Sequence, residues 1–278
     1  MQTTKIQPYP FVKWAGGKRQ LLEEIEKRIP DDYERFFEPF LGGGAVLFHL
    51  LPENAIINDI NTNLIHTYKT IRDNVEELLE NLEYLDNIIC DKEMYYTMRD
   101  EYNTKIINEE FDVKTAALFI YLNKRCFNGL YRVNSKGLFN VPFNNKTNAI
   151  SYDKDNLESI NEYLKNVEIR NEDFEKTLSY ADKGDFVFLD SPYVSLKSDT
   201  FENYTKDGFD LDSHRRLAKV FRQLDKKGCY LMLTNHNTPL IDELYSGYTK
   251  HVINVKRMIN SDPTKRTGQE VIITNYEY

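Results

Sequence analysis

The sequence contains little cysteine and shows no grouping of residues typical of a metal site. Its three cysteines, Cys90, Cys126 and Cys229, are odd in number and widely separated. They fit neither a disulfide framework nor a zinc site, because both need paired or closely spaced cysteines. The five histidines are scattered along the chain. We therefore expect no bound metal and a reducing, cytoplasmic environment.

Long apolar runs are also missing. No run approaches the roughly 20 residues that a helix needs to cross a bilayer, so we expect no membrane partner. The first residues, MQTTKIQPYPF, lack the basic-then-apolar order of a signal peptide. The composition, 41% hydrophobic and 29% charged, is ordinary for a soluble globular protein. A chain of 278 residues can form one large domain or one domain with an insert.

Acidic residues are absent from one long segment. The net charge of −8 and the pI near 5.3 argue, by themselves, against a nucleic-acid partner. However, residues 113–152 contain no Asp or Glu and carry six basic residues: Lys114, Lys124, Arg125, Arg132, Lys136 and Lys146. Aromatic and amide side chains lie between these charges, as in NKRCFNGLYRVNSKGLFNVPFNNK. Binding of a polyanion is at least as well supported as a solvated basic face.

The order of strand and helix patterns predicts an α/β fold. FFEPFLGGGAVLFHL (36–50) reads as a strand, a glycine loop and a helix, and NAIINDIN (54–61) as a second strand. Residues 63–125 space their apolar residues as at least three amphipathic helices do. Strands at VEIRN, FVFLD and CYLMLTN follow, with a helix over 211–228 that ends at Gly228. The last two strands read as antiparallel. We predict a sheet built from both chain ends, with a helical insert between them.

The glycine loop favours a nucleoside cofactor. Ligands of open parallel sheets bind beyond the carboxyl ends of strands, where glycine lets the backbone approach the ligand. Asp59 follows Gly42 by 17 residues, near the ~20-residue offset of an acid that binds ribose hydroxyls. Glu38, just before the loop, suits a cationic ligand such as the sulfonium of S-adenosylmethionine better than a pyrophosphate. A plain tight turn is the alternative.

A buried strand ends in an unusual tetrapeptide. In FVFLDSPYVS (186–195), four apolar residues lead into Asp190, Ser191, Pro192 and Tyr193. The apolar run is typical of a strand buried on both faces. Residues that merely terminate strands would explain the tetrapeptide equally well.

Taken together, these motifs resemble the Dam-type DNA adenine methyltransferases, the D12 class (alpha group) of N6-adenine enzymes that act at GATC. The resemblance covers nearly the whole chain, and its most specific parts are WAGGK and NGLYRVNSKGLFNVPF. It implies a Rossmann-like, S-adenosylmethionine-dependent fold and double-stranded DNA as the substrate. It divides the chain into a catalytic domain, residues 1–60 and 165–278, and a target-recognition domain, residues 61–164. A paired restriction endonuclease and a monomeric or weakly dimeric state are further expectations.

The resemblance also implies roles for individual residues. The cofactor set is Trp14, Lys18, Glu38, Phe40, Gly42, Gly44, Asp59 and Asp190, with a core role as the alternative for Trp14. The catalytic set is Asp190, Ser191, Pro192 and Tyr193. The DNA-binding set is Lys13, Arg125, Phe127, Asn128, Leu130, Arg132 and Pro142.

Within the DNA-binding set, Arg132 and Lys13 would contact guanine, and Leu130 and Pro142 the thymine methyl group. Phe127 would enter the stack that the target base leaves. Packing inside the insert is the alternative for Phe127 and Leu130.

Ser191 departs from the family pattern, which has proline there. The group needed at this position is a main-chain carbonyl, which serine retains, and Pro192 still favours an extended residue before it. We therefore expect an active enzyme. Residues 195–209 are predicted to form a flap over the site, and Lys256, Arg257, Lys265 and Arg266 are candidate phosphate contacts.

Three other functions compete with this hypothesis. A nicotinamide-dependent oxidoreductase would use the glycine loop and Asp59 but leaves the basic segment unexplained. A catalytically weakened DNA- or RNA-binding relative rests on Ser191 alone. A methyltransferase for RNA or for protein glutamine would use a related tetrapeptide.

Overall fold

The computed structural model describes residues 6–18, 20–194, 209–256 and 267–278. Its helices are α1 (Leu22–Glu26), α2 (Ala45–Leu50), α3 (Thr62–Asp73), α4 (Val75–Asp86), α5 (Lys92–Ile107), α6 (Val113–Arg125), α7 (Lys154–Leu164), α8 (Phe174–Leu178), α9 (Leu211–Lys227) and α10 (Pro239–Leu244). Its strands are β1 (Phe36–Glu38), β2 (Ala55–Asn58), β3 (Glu168–Arg170), β4 (Phe186–Leu189), β5 (Tyr230–His236), β6 (Thr249–Lys256) and β7 (Thr267–Thr274).

The chain divides into two units. The first consists of Met1–Gly17, Leu41–Leu51 and Asp59–Asn171, and the second of Lys18–Phe40, Pro52–Asn58 and Glu172–Tyr278. The division differs from the boundaries expected from the sequence, since residues 6–17 and 41–51 group with the helical part of the chain. The assignment of catalysis and target recognition to separate domains stays a prediction.

The first unit is mainly helical. The apolar periodicity of residues 63–125 produces α3, α4, α5 and α6, which confirms the prediction of at least three helices. Aspartate or asparagine side chains cap three of these four helices, because they accept the otherwise unpaired N–H groups of the first turn: Asn61 caps α3, Asp91 caps α5 and Asp112 caps α6. Helix α6 is buried along most of its length and contacts α3, α4 and α5.

The second unit contains a sheet of six described strands in the order β2-β1-β4-β5-β7-β6. Strands β2, β1, β4 and β5 are parallel, and β7 and β6 add antiparallel pairs at one edge. Every residue of β1, β2 and β4 is buried, as a continuous apolar run predicts for parallel strands. The Rossmann-like α/β fold and the antiparallel final strands are confirmed.

Helix α9 packs its apolar stripe onto the core of the second unit. Leu217, Phe221 and Leu224 lie in one cluster with β4 and β5. The Asp210 side chain caps the first turn, and Gly228 ends the helix at φ 91°, a conformation that glycine adopts without strain. The predicted helix and its glycine cap are confirmed. None of the helices in the described ranges is both long and apolar enough to cross a membrane.

Candidate active site

Polar residues end the parallel strands of the second unit at one sheet edge. Glu38 and Asn58 are the last residues of β1 and β2, and both are buried. Asp190 directly follows β4. Because Leu189 pairs with Leu233 in the parallel register of β4 and β5, Asp190 lies level with Thr234. Carboxyl strand ends are where open α/β sheets bind ligands, so this edge is the candidate active site of the second unit.

The Asp190 carboxylate is held by two side chains. Lys18 Nζ lies 2.8 Å from Oδ2, and the Thr234 hydroxyl donates to Oδ1 at 2.7 Å. Burial raises the pKa of Asp190, while the ion pair with Lys18 and the hydrogen bond from Thr234 oppose that rise. Each carboxylate oxygen keeps a further lone pair, so Asp190 can still accept a hydrogen bond from a ligand.

Tyr193 is fixed from several sides. Its hydroxyl donates to Glu270 Oε2 at 3.3 Å, and its ring packs edge-on against His236 with centroids 4.8 Å apart. Lys18 Nζ lies 4.4 Å from the ring centroid. Burial raises the pKa of Tyr193 well above its ordinary value, so the phenol stays neutral. The predicted stacking of a base on this ring remains a prediction.

Strand β5 contributes contacts that the sequence reasoning missed. Besides Thr234, Asn235 Oδ1 accepts from the Val194 N–H at 3.0 Å. His236 Nδ1 lies 2.8 Å from the Val194 carbonyl oxygen, and since a carbonyl only accepts, Nδ1 carries the proton. The signal was present: CYLMLTN reads as a buried strand, and a parallel neighbour of β4 ends at the same edge as Asp190.

In the first unit, the glycine loop is compressed between two aromatic side chains. A Cβ at Gly42 (φ 52°) would lie 2.8 Å from Trp14 Cδ1, and one at Gly44 (φ 71°) would lie 2.7 Å from the Tyr68 hydroxyl oxygen. Tyr68 in turn donates to the Gly42 carbonyl at 3.1 Å. Glycine is therefore required at both positions, by space and by backbone conformation. Trp14 also stacks on Tyr131, with centroids 5.1 Å apart.

Asp59 binds the backbone of this loop. Its Oδ2 accepts from Gly42 N and its Oδ1 from Asn61 N, both at 2.9 Å. Burial raises the pKa of Asp59, and these backbone hydrogen bonds oppose the rise. A carboxylate with remaining lone pairs beside a loop without side chains fits a ribose with donor hydroxyls. The first unit thus carries residues suited to a nucleoside.

The basic segment presents most of the predicted DNA contacts to solvent. Phe127 and Leu130 are 52% and 41% exposed, which disfavours the alternative that they fill a core. The Phe127 N–H donates to the Pro142 carbonyl at 2.8 Å, which brings these two predicted contacts together. The other exposed members of the set are Lys13, Asn128, Arg132 and Pro142.

The prediction that Arg125 contacts DNA is corrected. Its side chain is 1% exposed, lies 2.9 Å from Asp86 Oδ1 and stacks on Tyr121 at 3.9 Å. It also donates to the Ser151 hydroxyl. Lys114 pairs with Glu101. Two of the six basic charges are therefore balanced by acids from outside residues 113–152, and the remaining positive charge is smaller than the sequence suggested.

Of the remaining positions predicted from the sequence, Phe40 is described by the structure, and most of the others lie outside the described residues. Phe40 packs between Phe174 and Phe209, at centroid distances of 5.3 and 5.7 Å. The predicted flap, residues 195–209, lies outside the described residues except for Phe209. The side chains of Lys256, Arg257, Lys265 and Arg266 also lie outside them.

Comparison with known proteins gives a consistent result. A family model described as D12 class N6 adenine-specific DNA methyltransferase matches residues 14–260. The chain is 43% identical over 282 residues to the Type II methyltransferase M1.LlaDCHI of Lactococcus lactis subsp. cremoris, covering 99% of this chain and 98% of the relative. It is 43% identical over 286 residues to the Type II methyltransferase M.MjaIII of Methanocaldococcus jannaschii, covering 96% and 99%. A DNA adenine methylase of Haemophilus influenzae is 34% identical over 274 residues, covering 97% and 94%.

Proposed function

Because the chain belongs to the D12 class of N6 adenine-specific DNA methyltransferases, which use S-adenosylmethionine, we propose that it methylates an extruded adenine within GATC. The observation that carries this proposal is the Asp190 carboxylate at the carboxyl end of β4, oriented by Lys18 and Thr234.

Asp190 and the Ser191 carbonyl are proposed to activate the adenine amine. The amine is a poor nucleophile since its lone pair is delocalised into the ring. Two acceptors on its hydrogens would pyramidalise the nitrogen and direct the lone pair outward. As the N6–methyl bond forms and the sulfur–methyl bond breaks, positive charge grows on the nitrogen, and a pre-oriented carboxylate stabilises that charge. The methylated amine then loses one proton and becomes neutral. The lone pairs that Asp190 retains beside Lys18 and Thr234 are available for this role.

When bound, S-adenosylmethionine supplies the electrophilic methyl group. In the first unit, Trp14, Gly42, Gly44 and Asp59 are proposed to hold its adenosine, with Asp59 accepting from the ribose hydroxyls. For the second unit by itself, Lys18, Glu38, Phe40 and Asp190 are proposed as cofactor contacts, with the acidic Glu38 suited to the sulfonium.

Base extrusion follows from the chemistry of the target. An amine inside the duplex is paired and stacked, so the adenine must leave the helix to react. We propose that Tyr193 then stacks on the base, an interaction worth roughly 1–3 kcal/mol per base. Phe127, exposed at the surface, would occupy the vacated step.

Recognition of GATC is proposed to rest on Arg132. Its Nε donates to Asn140 Oδ1 at 2.8 Å and its Nη2 to the Asn140 carbonyl at 3.3 Å. These bonds fix the guanidinium plane and leave other N–H groups for the O6 and N7 atoms of a guanine. Lys13 is proposed near the second guanine, and Leu130 and Pro142 against thymine methyl groups.

Two relatives bear the name Type II methyltransferase. We propose by analogy that this enzyme protects DNA from a partner endonuclease of the same recognition sequence. Expression in cells followed by digestion of their DNA with an endonuclease that cuts only unmethylated GATC tests this protection separately.

The central experiment measures transfer of tritiated methyl groups to short duplexes. A duplex with one GATC site should accept label, and duplexes with one altered base pair should accept about tenfold less. Asp190→Asn keeps the side-chain size but removes the charge, and should lower kcat by about 10²–10³-fold with little change in DNA affinity. Asp212→Asn, at an 87% exposed position, is the matched control. Equal labelling of all duplexes would refute GATC specificity, and labelling of RNA in place of DNA would refute the substrate.

A further inference from the structure

The segment from Asp190 to Val194 is tied to β5 at both ends. Thr234 donates to the Asp190 carboxylate, and Asn235 accepts from the Val194 N–H. Both β5 residues are fully buried. We propose, on the basis of the proposed function, that Thr234 and Asn235 are positioning residues for methyl transfer that replace the rigidity lost with Ser191.

Ser191 does not hold this segment through its own side chain. The residue is 1% exposed, and its hydroxyl has no hydrogen-bond partner among the described residues. Serine also leaves φ unrestrained, whereas proline would fix it near −65°. The carbonyl of residue 191 is the proposed second acceptor for the amine. Its position therefore depends on what fixes the chain on either side of it.

The two ends are fixed independently of the strand ladder. The ladder already pairs Leu189 with Leu233, so β4 and β5 stay together without the Thr234 hydroxyl. What the hydroxyl adds is a second anchor on the carboxylate. Lys18 holds Oδ2 and Thr234 holds Oδ1, which together prevent rotation about the Cβ–Cγ bond. With Lys18 alone, the carboxylate could turn about that single contact.

Asn235 anchors the main chain of this segment at Val194. Its Oδ1 accepts two N–H groups, from Val194 and from His236. Its amide nitrogen has no partner in the described part of the chain. A buried donor left unpaired is costly, so the residue is poorly explained as a mere filler of space. As an anchor of Val194, it limits the movement of the carbonyl three residues earlier.

The first test compares Thr234→Val with Thr234→Ser. Valine keeps the branched shape without the hydroxyl, and should lower kcat by about 10- to 100-fold, since small displacements at a reacting centre have effects of this size. The KM for DNA should stay within about threefold, because the proposed DNA-binding set does not include Asp190. Serine restores the hydroxyl and should bring kcat within about threefold of the wild type.

A pH profile separates positioning from general structure. The groups facing Asp190 are the Lys18 ammonium and the neutral Tyr193 phenol. Losing the Thr234 hydrogen bond should raise the pKa of Asp190. The acidic limb of the pH profile of kcat should therefore move to higher pH in Thr234→Val and not in Thr234→Ser. Should this variant not fold, Thr234→Ala lacks the same hydroxyl and is measured in its place.

The second test combines Asn235→Ala with Ser191→Pro. Ser191→Pro keeps the carbonyl of residue 191 and fixes φ near −65°, so this variant alone should raise kcat. In the Asn235→Ala background, it should restore at least part of the lost rate, because proline fixes the same stretch of chain. Wild-type activity with an unchanged kcat in Thr234→Val would overturn this inference only. A wild-type protein that labels no DNA would instead overturn the proposed function.

Discussion

The side-chain amide of Asn123 pairs with both backbone polar groups of Lys13. The Lys13 N–H donates to Asn123 Oδ1 at 2.9 Å, and Asn123 Nδ2 donates to the Lys13 carbonyl at 3.0 Å. The same Nδ2 also donates to the Gly129 carbonyl at 3.1 Å. At Gly129, any Cβ would overlap the Lys13 side chain. One buried amide thus joins two segments that both carry proposed DNA contacts.

Replacing this amide should affect stability and recognition together. Asn123→Ala leaves backbone groups of Lys13 and Gly129 without partners, which should lower the free energy of unfolding by about 1–3 kcal/mol. The KM for DNA should rise more than that for the cofactor, because Lys13 and Leu130 lose their common support. Urea denaturation and steady-state kinetics measure the two effects. Asn81→Ala, at a half-buried position on α4 where the amide donates to the Glu77 carbonyl of the same helix, is the control, and an equal effect there would contradict the prediction.

Arg132 should determine discrimination at one guanine. Arg132→Ala removes the proposed bidentate contact, so the ratio of kcat/KM for GATC to that for a duplex with this guanine changed should fall by about 5- to 150-fold, equivalent to about 1–3 kcal/mol. Competition between the two duplexes in one reaction gives the ratio directly. Lys136→Ala is the matched control, since Lys136 is an exposed cation of the same segment. It should weaken binding to both duplexes alike. An unchanged ratio in Arg132→Ala would assign guanine recognition elsewhere.

Arg125 should contribute to stability and not to DNA binding. Removing one partner of a buried ion pair leaves the other charge uncompensated, so Arg125→Ala should lower the free energy of unfolding by about 3–5 kcal/mol. A direct phosphate contact would instead contribute about one unit to the salt dependence of DNA binding. We expect the slope of log K against log salt to be the same in the wild type and in a folded Arg125→Gln variant, which lacks the charge. A smaller slope in that variant would restore Arg125 to the interface.

The features that could be predicted from the sequence are those that a short stretch of residues determines by itself. The apolar run before Asp190 and the glycines at 42 and 44 specify a strand end and a tight loop without reference to any distant residue. Both are confirmed by β4 and by the positive φ angles of the two glycines. The amphipathic helices and the Gly228 cap are of the same local kind.

What the sequence does not reveal depends on contacts between residues far apart in the chain. Arg125 reads as one charge in a basic segment, and its partner Asp86 lies 39 residues earlier. Asn123 meets Lys13 across 110 residues, and Thr234 meets Asp190 across 44. The charge and spacing of residues within one segment do not predict partners that lie far away in the chain. The fold brings them together through strand register and helix packing.

His214 should make the protein sensitive to mild acid. It lies in α9, 5% exposed, and packs edge-on against Phe209. Burial lowers its pKa to about 4, below the value near 6.5 of an unfolded chain. The unfolded state therefore binds more protons between these values, and the stabilisation present above about pH 6.5 is lost as the pH falls towards 4. At pH 5 this group alone should cost about 2 kcal/mol of stability relative to pH 7.5.

His214→Phe cannot titrate, so urea unfolding at both pH values should show a pH dependence smaller by that amount. The comparison at pH 7.5, where histidine is neutral in both states, corrects for the altered packing. An equal pH dependence in the two proteins would show that His214 is protonated as readily in the folded chain as in the unfolded one.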